Sequence, residues 1–270
     1  MLSSYRAELT KLARRPAVGI VLAAWLVLML TFLYLFGYLS YRSASNARAA
    51  QNLLSGLLPQ SLPAHALGGY PLWGGALIVV LGALCAGSEY GWGTVKTMLG
   101  NRPPRLMFYG AQLAALGTVL AALAVVGFLL AGLASTAIAI SAGASLTAPA
   151  AGPLLQSMAA GWLILWMWCL FGVALAVVVR GTALSIGLGL VWVLAVETVV
   201  RALAPEIGVL QTIEKGLPGT AAGSLAAALG ASGLGVASAF GGQGALIAVL
   251  LFVALFAGLG GVLLRRRDIA

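Results

Sequence analysis

Two long stretches without a charged residue constrain this chain more than any other feature of its sequence. Residues 16–41 and residues 106–179 contain no Asp, Glu, Lys or Arg. A soluble fold of 270 residues would have to bury these runs within a sequence that is 61% hydrophobic and has a mean hydropathy of +1.05. Because no soluble core of this size holds so much apolar material, the segments must contact lipid. The chain is predicted to be a membrane protein.

The composition also predicts which kind of membrane fold it is. The 36 glycines and the long Ala, Leu and Val tracts favour helices packed through small residues over the alternating strands of a barrel. Since about 20 apolar residues cross a bilayer, we predict an all-α polytopic protein with a single transmembrane domain. The six predicted spans are residues 17–38, 70–87, 106–140, 154–179, 182–204 and 243–264. The third is so long that it must tilt, project from the bilayer, or bend near Gly127 and Gly132.

The basic residues predict how these spans are oriented. With the N-terminus inside, 11 of the 15 Lys and Arg residues fall in cytoplasmic segments, and the others are Arg42, Arg48, Arg201 and Lys215. The positive-inside rule therefore predicts a multi-pass membrane protein with both termini cytoplasmic. A location in the bacterial plasma membrane belongs to the exporter hypothesis given below. The same rule, together with anionic lipid, accounts for the net charge of +9, so no nucleic-acid partner is expected.

Two segments outside the spans have a helical character. Residues 2–15 place Tyr5, Leu9 and Leu12 on one apolar stripe, which predicts an amphipathic interface helix on the inner membrane surface. Residues 205–242 predict an external or re-entrant helical segment between the fifth and sixth spans. A re-entrant backbone is tolerated in lipid only where protein covers it.

The residue types that are scarce exclude several kinds of enzyme. The chain has one histidine, His65, one aspartate, Asp268, and three lysines, none of which ends a Walker A motif. Intramembrane zinc and aspartyl proteases need more ligands or aspartates than this. We therefore expect no enzyme activity, no catalytic residue, no bound metal and no cofactor on this chain. Cys85 and Cys169 lie in apolar segments and are predicted to be core residues.

One acidic residue, Glu197, lies clearly within a predicted span. Arg201 follows it at the i,i+4 spacing that favours an ion pair, so the pair is interpreted first as a cap on the outer end of the fifth span. The alternative is that Glu197 and Arg201 line a substrate or ion path, where Glu197 binds protons or a cationic substrate.

The cytoplasmic loop at residues 88–105 is the most distinctive stretch of the sequence. It predicts a short helix with an exposed apolar face, which requires a partner. Its candidate coupling residues are Glu89, Gly93, Thr94, Lys96, Met98, Leu99 and Arg105.

Here the sequence resembles the permease subunits of type-2 ATP-binding-cassette exporters. The resemblance rests on the E-x-x-x-G-T pattern of Glu89, Gly93 and Thr94, and on Leu99 and Arg105 ahead of the third span. It extends to the Arg267-Asp268-Ile269 ending and the Leu217-Pro218 turn. Family members often carry a lysine early in the third span, where this chain has Gln112.

The resemblance implies a mechanism and a set of partners. The 2–15 helix and the coupling loop would contact a separately encoded ATPase subunit, which binds the ATP and Mg. A second permease copy, with a homodimer favoured over a heterodimer, would complete the path within membrane lipid. ATP-driven closure of the ATPase would then tilt the bundles between inward-open and outward-open states.

Three functions follow as hypotheses. The first is an ATP-driven exporter of amphipathic or hydrophobic compounds, such as a drug, antibiotic, peptide or lipid-like molecule, as in multidrug efflux. The second is a proton-coupled secondary carrier that uses Glu197. The third is a non-transporting membrane scaffold or immunity protein.

Overall fold

The computed structural model describes residues 2–91 and 105–266. Within these ranges the chain is helical and has no strand, and six helices are long and apolar enough to cross a membrane, so the all-α, six-span prediction is confirmed. The six spans are α2 (Pro16–Arg42), α5 (Tyr70–Glu89), α6 (Leu106–Ser141), α7 (Ala151–Val179), α8 (Thr182–Leu203) and α11 (Gly242–Arg265). The other helices are α1 (Leu2–Arg14), α3 (Ala47–Leu57), α4 (Leu62–Leu67), α9 (Gly208–Lys215) and α10 (Pro218–Ala228).

The spans differ in how much of their surface other parts of the chain cover. In α5 and α7, 67% and 61% of the most apolar window is buried, whereas the value is 22% in each of α2, α8 and α11. Large apolar side chains such as Ile20, Leu188 and Leu251 are exposed on the three less buried helices. We conclude that α5 and α7 form the centre of the bundle, while α2, α8 and α11 present apolar surface to lipid or to another subunit.

Two glycines allow α5 and α7 to approach until their backbones touch. A Cβ atom at Gly82 would collide with the carbonyl oxygen of Cys169, and one at Gly172 would collide with that of Val79. Small residues at such crossings are the usual means by which membrane helices pack closely. Both cysteines are buried free thiols, and Cys169 lies at this contact.

The helix α6 is one uninterrupted element. Its hydrogen-bonded helix continues through Gly127 and Gly132 to Ser141. At 1.5 Å per residue its 36 residues extend about 54 Å, well beyond the roughly 30 Å thickness of the hydrocarbon core. Because the helix is not broken at either glycine, its excess length is accommodated by tilt or by projection from the bilayer.

The N-terminal helix α1 packs along the first half of α6. The hydroxyl groups of Tyr5 and Thr118 lie 2.8 Å apart, and Lys11 Nζ lies 5.7 Å from the ring centre of Phe108. Leu12 is buried and Leu9 packs against the core. The apolar stripe of α1 therefore faces its own bundle, and Arg6 and Arg14 on the opposite face are exposed. We call this end of the bundle the α1 end.

At the other end, which we call the α10 end, short helices cover the start of α5. Leu62 and Leu67 of α4 are buried, as is every residue from Pro218 to Ala226 of α10. The segment after α10 turns through three glycines with positive φ, Gly230, Gly233 and Gly235, and packs against the backbone at Gly68 and Leu72. Protein thus covers α10, as a backbone within a membrane requires.

Candidate functional site

At the α1 end, a buried charged cluster joins three helices. Lys11 Nζ donates to both carboxylate oxygens of Glu8, at 3.1 and 3.0 Å, and to Glu89 Oε1 at the end of α5. From α6, Gln112 Nε2 donates to the same Glu89 oxygen at 3.3 Å. Glu8 and Glu89 are only 4% and 5% exposed. One lysine therefore lies between two carboxylates that water barely reaches, and we call these four residues the Lys11 cluster.

A second contact ties α1 to the end of α5. The Arg15 guanidinium donates to the Ser88 hydroxyl at 3.0 Å, one residue before Glu89. Arg15 directly follows α1, four residues after Lys11, so the two contacts reach the end of α5 from neighbouring points of the chain. With two points of attachment, α1 and the last turn of α5 are held as one unit, because a single hydrogen bond would still allow rotation.

The position of the cluster in the chain matters as much as its chemistry. Glu89 is the last residue of α5, and α6 begins at Leu106. The Lys11 cluster therefore lies where residues 92–104, the greater part of the predicted coupling loop, join the transmembrane bundle. Force applied to that loop would reach α1, α5 and α6 through these side chains.

The structure brings together only part of the predicted site. It places Glu89 in the Lys11 cluster, and it places Tyr5, Leu9 and Leu12 along the bundle. Arg105 begins the helix that continues as α6. The remaining coupling residues lie outside the described residues and keep the status of predictions: Gly93, Thr94, Lys96, Met98 and Leu99.

Sequence reasoning missed three members of the cluster. From the sequence alone, Lys11 is only one of the basic residues that set the orientation, and Glu8 has no evident role. Gln112 lies where family members often carry a lysine. The structure shows that Lys11 of α1 supplies a cation to Glu89, while Gln112 adds a neutral hydrogen bond. Two signals in the sequence could have indicated the cluster. Gln112 is a polar residue within an uncharged run, and Glu8 lies one helical turn before Leu12, on the side of the apolar stripe.

The second candidate, Glu197, binds three donors at the α10 end. Its Oε1 accepts from the backbone N–H of Gly219 and from the indole N–H of Trp192, each at 3.1 Å, and Arg201 Nη2 lies 3.5 Å from Oε2. Glu197 is 1% exposed. Gly219 lies in the first turn of α10, and a Cβ atom there would overlap the carboxylate.

These contacts make Glu197 the cap of α10. The first N–H groups of a helix lack partners within it, and its N-terminus attracts a negative charge. The Glu197 carboxylate supplies both the acceptor and the charge from a different helix. The Glu197–Arg201 pair is present as the i,i+4 spacing predicts, and the geometry supports a structural role in joining α8 to α10.

The α10 end also holds the sole histidine of the chain. The Nε2 atom of His65 on α4 donates to the carbonyl oxygen of Leu33 at 3.1 Å, and its ring packs edge-on against Tyr34. Burial lowers the pKa of His65, and the hydrogen bond to Leu33 opposes that shift only partly. The imidazole is therefore neutral at physiological pH and anchors α4 to α2.

Comparison with known families agrees with the fold. The family model for the ABC-2 family transporter protein matches residues 5–196, which is more than two thirds of the chain. The match includes α1, the Lys11 cluster, and the chain as far as the residue before Glu197. No curated protein matches the sequence. The chain belongs to the ABC-2 transporter family.

Proposed function

We propose that this chain is the membrane subunit of an ATP-driven exporter and that a separate ATPase subunit acts on its α1 end. The Lys11 cluster is the observation that carries the proposal. A buried pair between groups 78 residues apart is costly to form, and removal of either partner leaves a buried charge without its counter-ion, so the pair links the two elements that carry it. Here those elements are α1 and the end of α5, next to residues 92–104.

The packing of the bundle supports a path for the movement beyond the cluster. The helix α5 contacts α7 backbone to backbone at Gly82 and Gly172. Because closely packed helices shift as rigid bodies, a push on the end of α5 would tilt α5 and α7 together. The two most buried spans would then change position relative to the lipid-facing helices.

The orientation and cargo follow from charge and exposure. The positive-inside rule assigns the α1 end to the cytoplasm of a bacterial cell, where ATP is available to the partner. The apolar faces of α2, α8 and α11 suit a second copy of the chain and a cargo that is hydrophobic or amphipathic. An exporter of this kind would remove lipophilic compounds such as drugs or antibiotics.

The proposal is tested by purifying the tagged chain from native membranes and measuring ATPase activity in the eluate. The purified complex is then placed in vesicles, and ATP-dependent uptake of the lipophilic dye ethidium is measured. We expect the ATPase to accompany the wild-type chain, and dye uptake to require ATP. The absence of an accompanying ATPase, or uptake that continues without ATP under a proton gradient, would contradict the proposal.

Charge variants test the coupling role of the cluster. Lys11→Glu or Glu89→Lys alone places like charges together, so we expect ATP hydrolysis to continue while dye transport per ATP falls at least tenfold. The double variant restores opposite charges and should recover most of the transport. Lys215→Glu, an exposed charge reversal at the α10 end, is the matched control and should leave the ratio unchanged. Loss of transport in the control, or equal transport in every variant, would assign coupling elsewhere.

A further inference from the structure

The helix α1 is inclined along α6, so that its start lies nearer the middle of the bundle than its end. Near its end, Lys11 Nζ lies 5.7 Å from the ring centre of Phe108. Near its start, the Tyr5 hydroxyl lies 2.8 Å from that of Thr118. Phe108 and Thr118 are ten residues apart, which is about 15 Å along a helix. The two helices therefore run in opposite directions, and α1 extends along the side of α6.

The length of α5 sets the level of this contact in the bilayer. The helix has 20 residues and extends about 30 Å, which matches the thickness of the hydrocarbon core. Its last residue, Glu89, therefore lies at one edge of that core, where it accepts a hydrogen bond from Gln112 of α6. Thr118 is six residues further along α6, about 9 Å closer to the middle of the bilayer. The start of α1 consequently lies at the depth of the acyl chains.

The side of α6 that α1 contacts is an exposed side. Thr118 is exposed and lies on a helical stripe that continues through larger apolar residues. These are Val125, Leu129 and Leu133, which are 43%, 62% and 68% exposed. A stripe of exposed apolar side chains on a membrane span faces lipid. Since α1 packs at the edge of this stripe, its outer face borders lipid as well.

Two arginines lie on this outer face without a carboxylate beside them. Arg6 and Arg14 are exposed, and neither takes part in an ion pair within the part of the chain that the structure describes. Glu8 and Glu89 are buried on the other side of α1 and are paired with Lys11. A guanidinium beside acyl chains is costly unless it reaches a counter-ion. The long arginine side chain can extend to the headgroups, where phosphate groups supply that counter-ion.

We infer that α1 binds anionic phospholipid headgroups of the leaflet at the α1 end, through the guanidinium groups of Arg6 and Arg14. The two residues are about 12 Å apart along the helix, so each binds its own phosphate. An acidic protein surface also has a complementary charge, but it approaches from water and does not reach Arg6 at the depth of the acyl chains. The site needs neither ATP nor the ATPase, so its test is independent of the proposed export function.

Lipid competition tests the preference for an anionic headgroup. Palmitoyl-oleoyl phosphatidylglycerol and phosphatidylcholine carry the same phosphate and chains, but choline adds a positive charge that arginine repels. The purified chain in detergent micelles is offered both lipids in equal amounts, and bound lipid is counted by native mass spectrometry. One basic residue near an anionic surface contributes about fivefold. We therefore expect the preference for phosphatidylglycerol to fall about fivefold in Arg6→Gln and about 25-fold when Arg14→Gln is added.

Two further double variants separate this site from general attraction and from misfolding. Arg42→Gln with Arg48→Gln removes two exposed arginines at the α10 end and should leave the preference unchanged. Arg6→Lys with Arg14→Lys keeps both charges and should retain most of it. An unchanged preference in the Arg6, Arg14 glutamine variant, or an equal loss in either of these controls, would overturn the inference. Loss of an accompanying ATPase with unchanged lipid preference would assign the face to a protein partner instead.

A spin label next to Arg6 tests the surroundings of α1 directly. Ala7 is exposed, and Ala7→Cys can be labelled selectively because Cys85 and Cys169 are buried. In nanodiscs that contain phosphatidylglycerol, we expect the label to collide more often with oxygen than with a water-soluble nickel complex. A label at Val125→Cys, on the lipid-facing stripe of α6, provides the reference for lipid. A label at Ala7→Cys that the nickel complex reaches more readily than oxygen does would place α1 in water and overturn the inference.

Discussion

Glu89 and Glu197 are both buried carboxylates at the ends of spans, but their partners differ in kind. Glu89 meets a lysine side chain of another helix and an amide of a third. Glu197 meets a backbone N–H, an indole and an arginine one turn away. A lysine has a long flexible stem and can exchange partners, whereas a backbone N–H at a helix start is fixed. The contrast indicates that side chains join separate helices at the α1 end, whereas a carboxylate caps a fixed helix start at the α10 end.

The largest expected effect comes from removing the lysine that pairs with Glu89 at the α1 end. Lys11→Met removes the cation between Glu8 and Glu89 and leaves two buried carboxylates close together. We expect the free energy of unfolding, measured with denaturant in detergent micelles, to fall by about 3–5 kcal/mol. Lys215→Met removes an exposed lysine and should change it by less than about 0.5 kcal/mol. Adding Glu89→Gln to Lys11→Met should restore part of the lost stability. A loss in the double variant that exceeds the sum of the losses in the two single variants would contradict the pairing.

The next largest effect comes from crowding the Glu197 carboxylate at the α10 end. Gly219→Ala places a Cβ atom where the Glu197 carboxylate lies, so either the cap or the first turn of α10 must shift. We expect a loss of about 2 kcal/mol in the free energy of unfolding, as in an overpacked site. Gly208→Ala, at an exposed glycine with open space around it, is the control and should be neutral. Equal stability of the two variants would show that α10 does not depend on this contact.

A milder substitution at Glu197 distinguishes a structural role of this residue from a role in transport. Glu197→Gln keeps an oxygen that accepts from Gly219 but loses the attraction to Arg201. We expect about 1 kcal/mol lower stability and unchanged ATP-dependent dye uptake. The proton-coupled carrier hypothesis gives the opposite result, since transport would stop in a well-folded variant. Thermal unfolding and uptake measured on the same preparation distinguish the two.

The smallest effect concerns His65, a half-buried group at the α10 end that has no charged partner among the residues the structure describes. Its pKa is lowered in the folded protein, so the unfolded chain takes up a proton more readily. Stability should therefore be full above the ordinary histidine pKa of about 6.5 and should decline as the pH falls below that value. We expect the Tm to decrease on acidification to about pH 5 and the decrease to be smaller in His65→Gln. An identical pH profile in both proteins would contradict this role.

The sequence by itself determined the class of fold and the number of spans. Both depend on local properties, since a run such as 106–179 without a charge has no stable place outside lipid whatever surrounds it. Residues 70–87 and 182–204 were likewise predicted close to the observed α5 and α8, because a span is bounded by where apolar residues begin and end. The pairing of Glu197 with Arg201 was also accessible from spacing along one helix, whereas Glu89 was singled out by the resemblance to the permease subunits.

Only the tertiary structure decided which distant groups meet. Lys11 and Glu89 are 78 residues apart, and no periodicity predicts that α1 packs along α6 and carries the lysine to α5. Gly219 and Glu197 meet because the connection through α9 returns the start of α10 to α8. Hydropathy assigns a helix to the membrane, but contacts between helices depend on the shapes of whole surfaces, and those are set only when the bundle has packed.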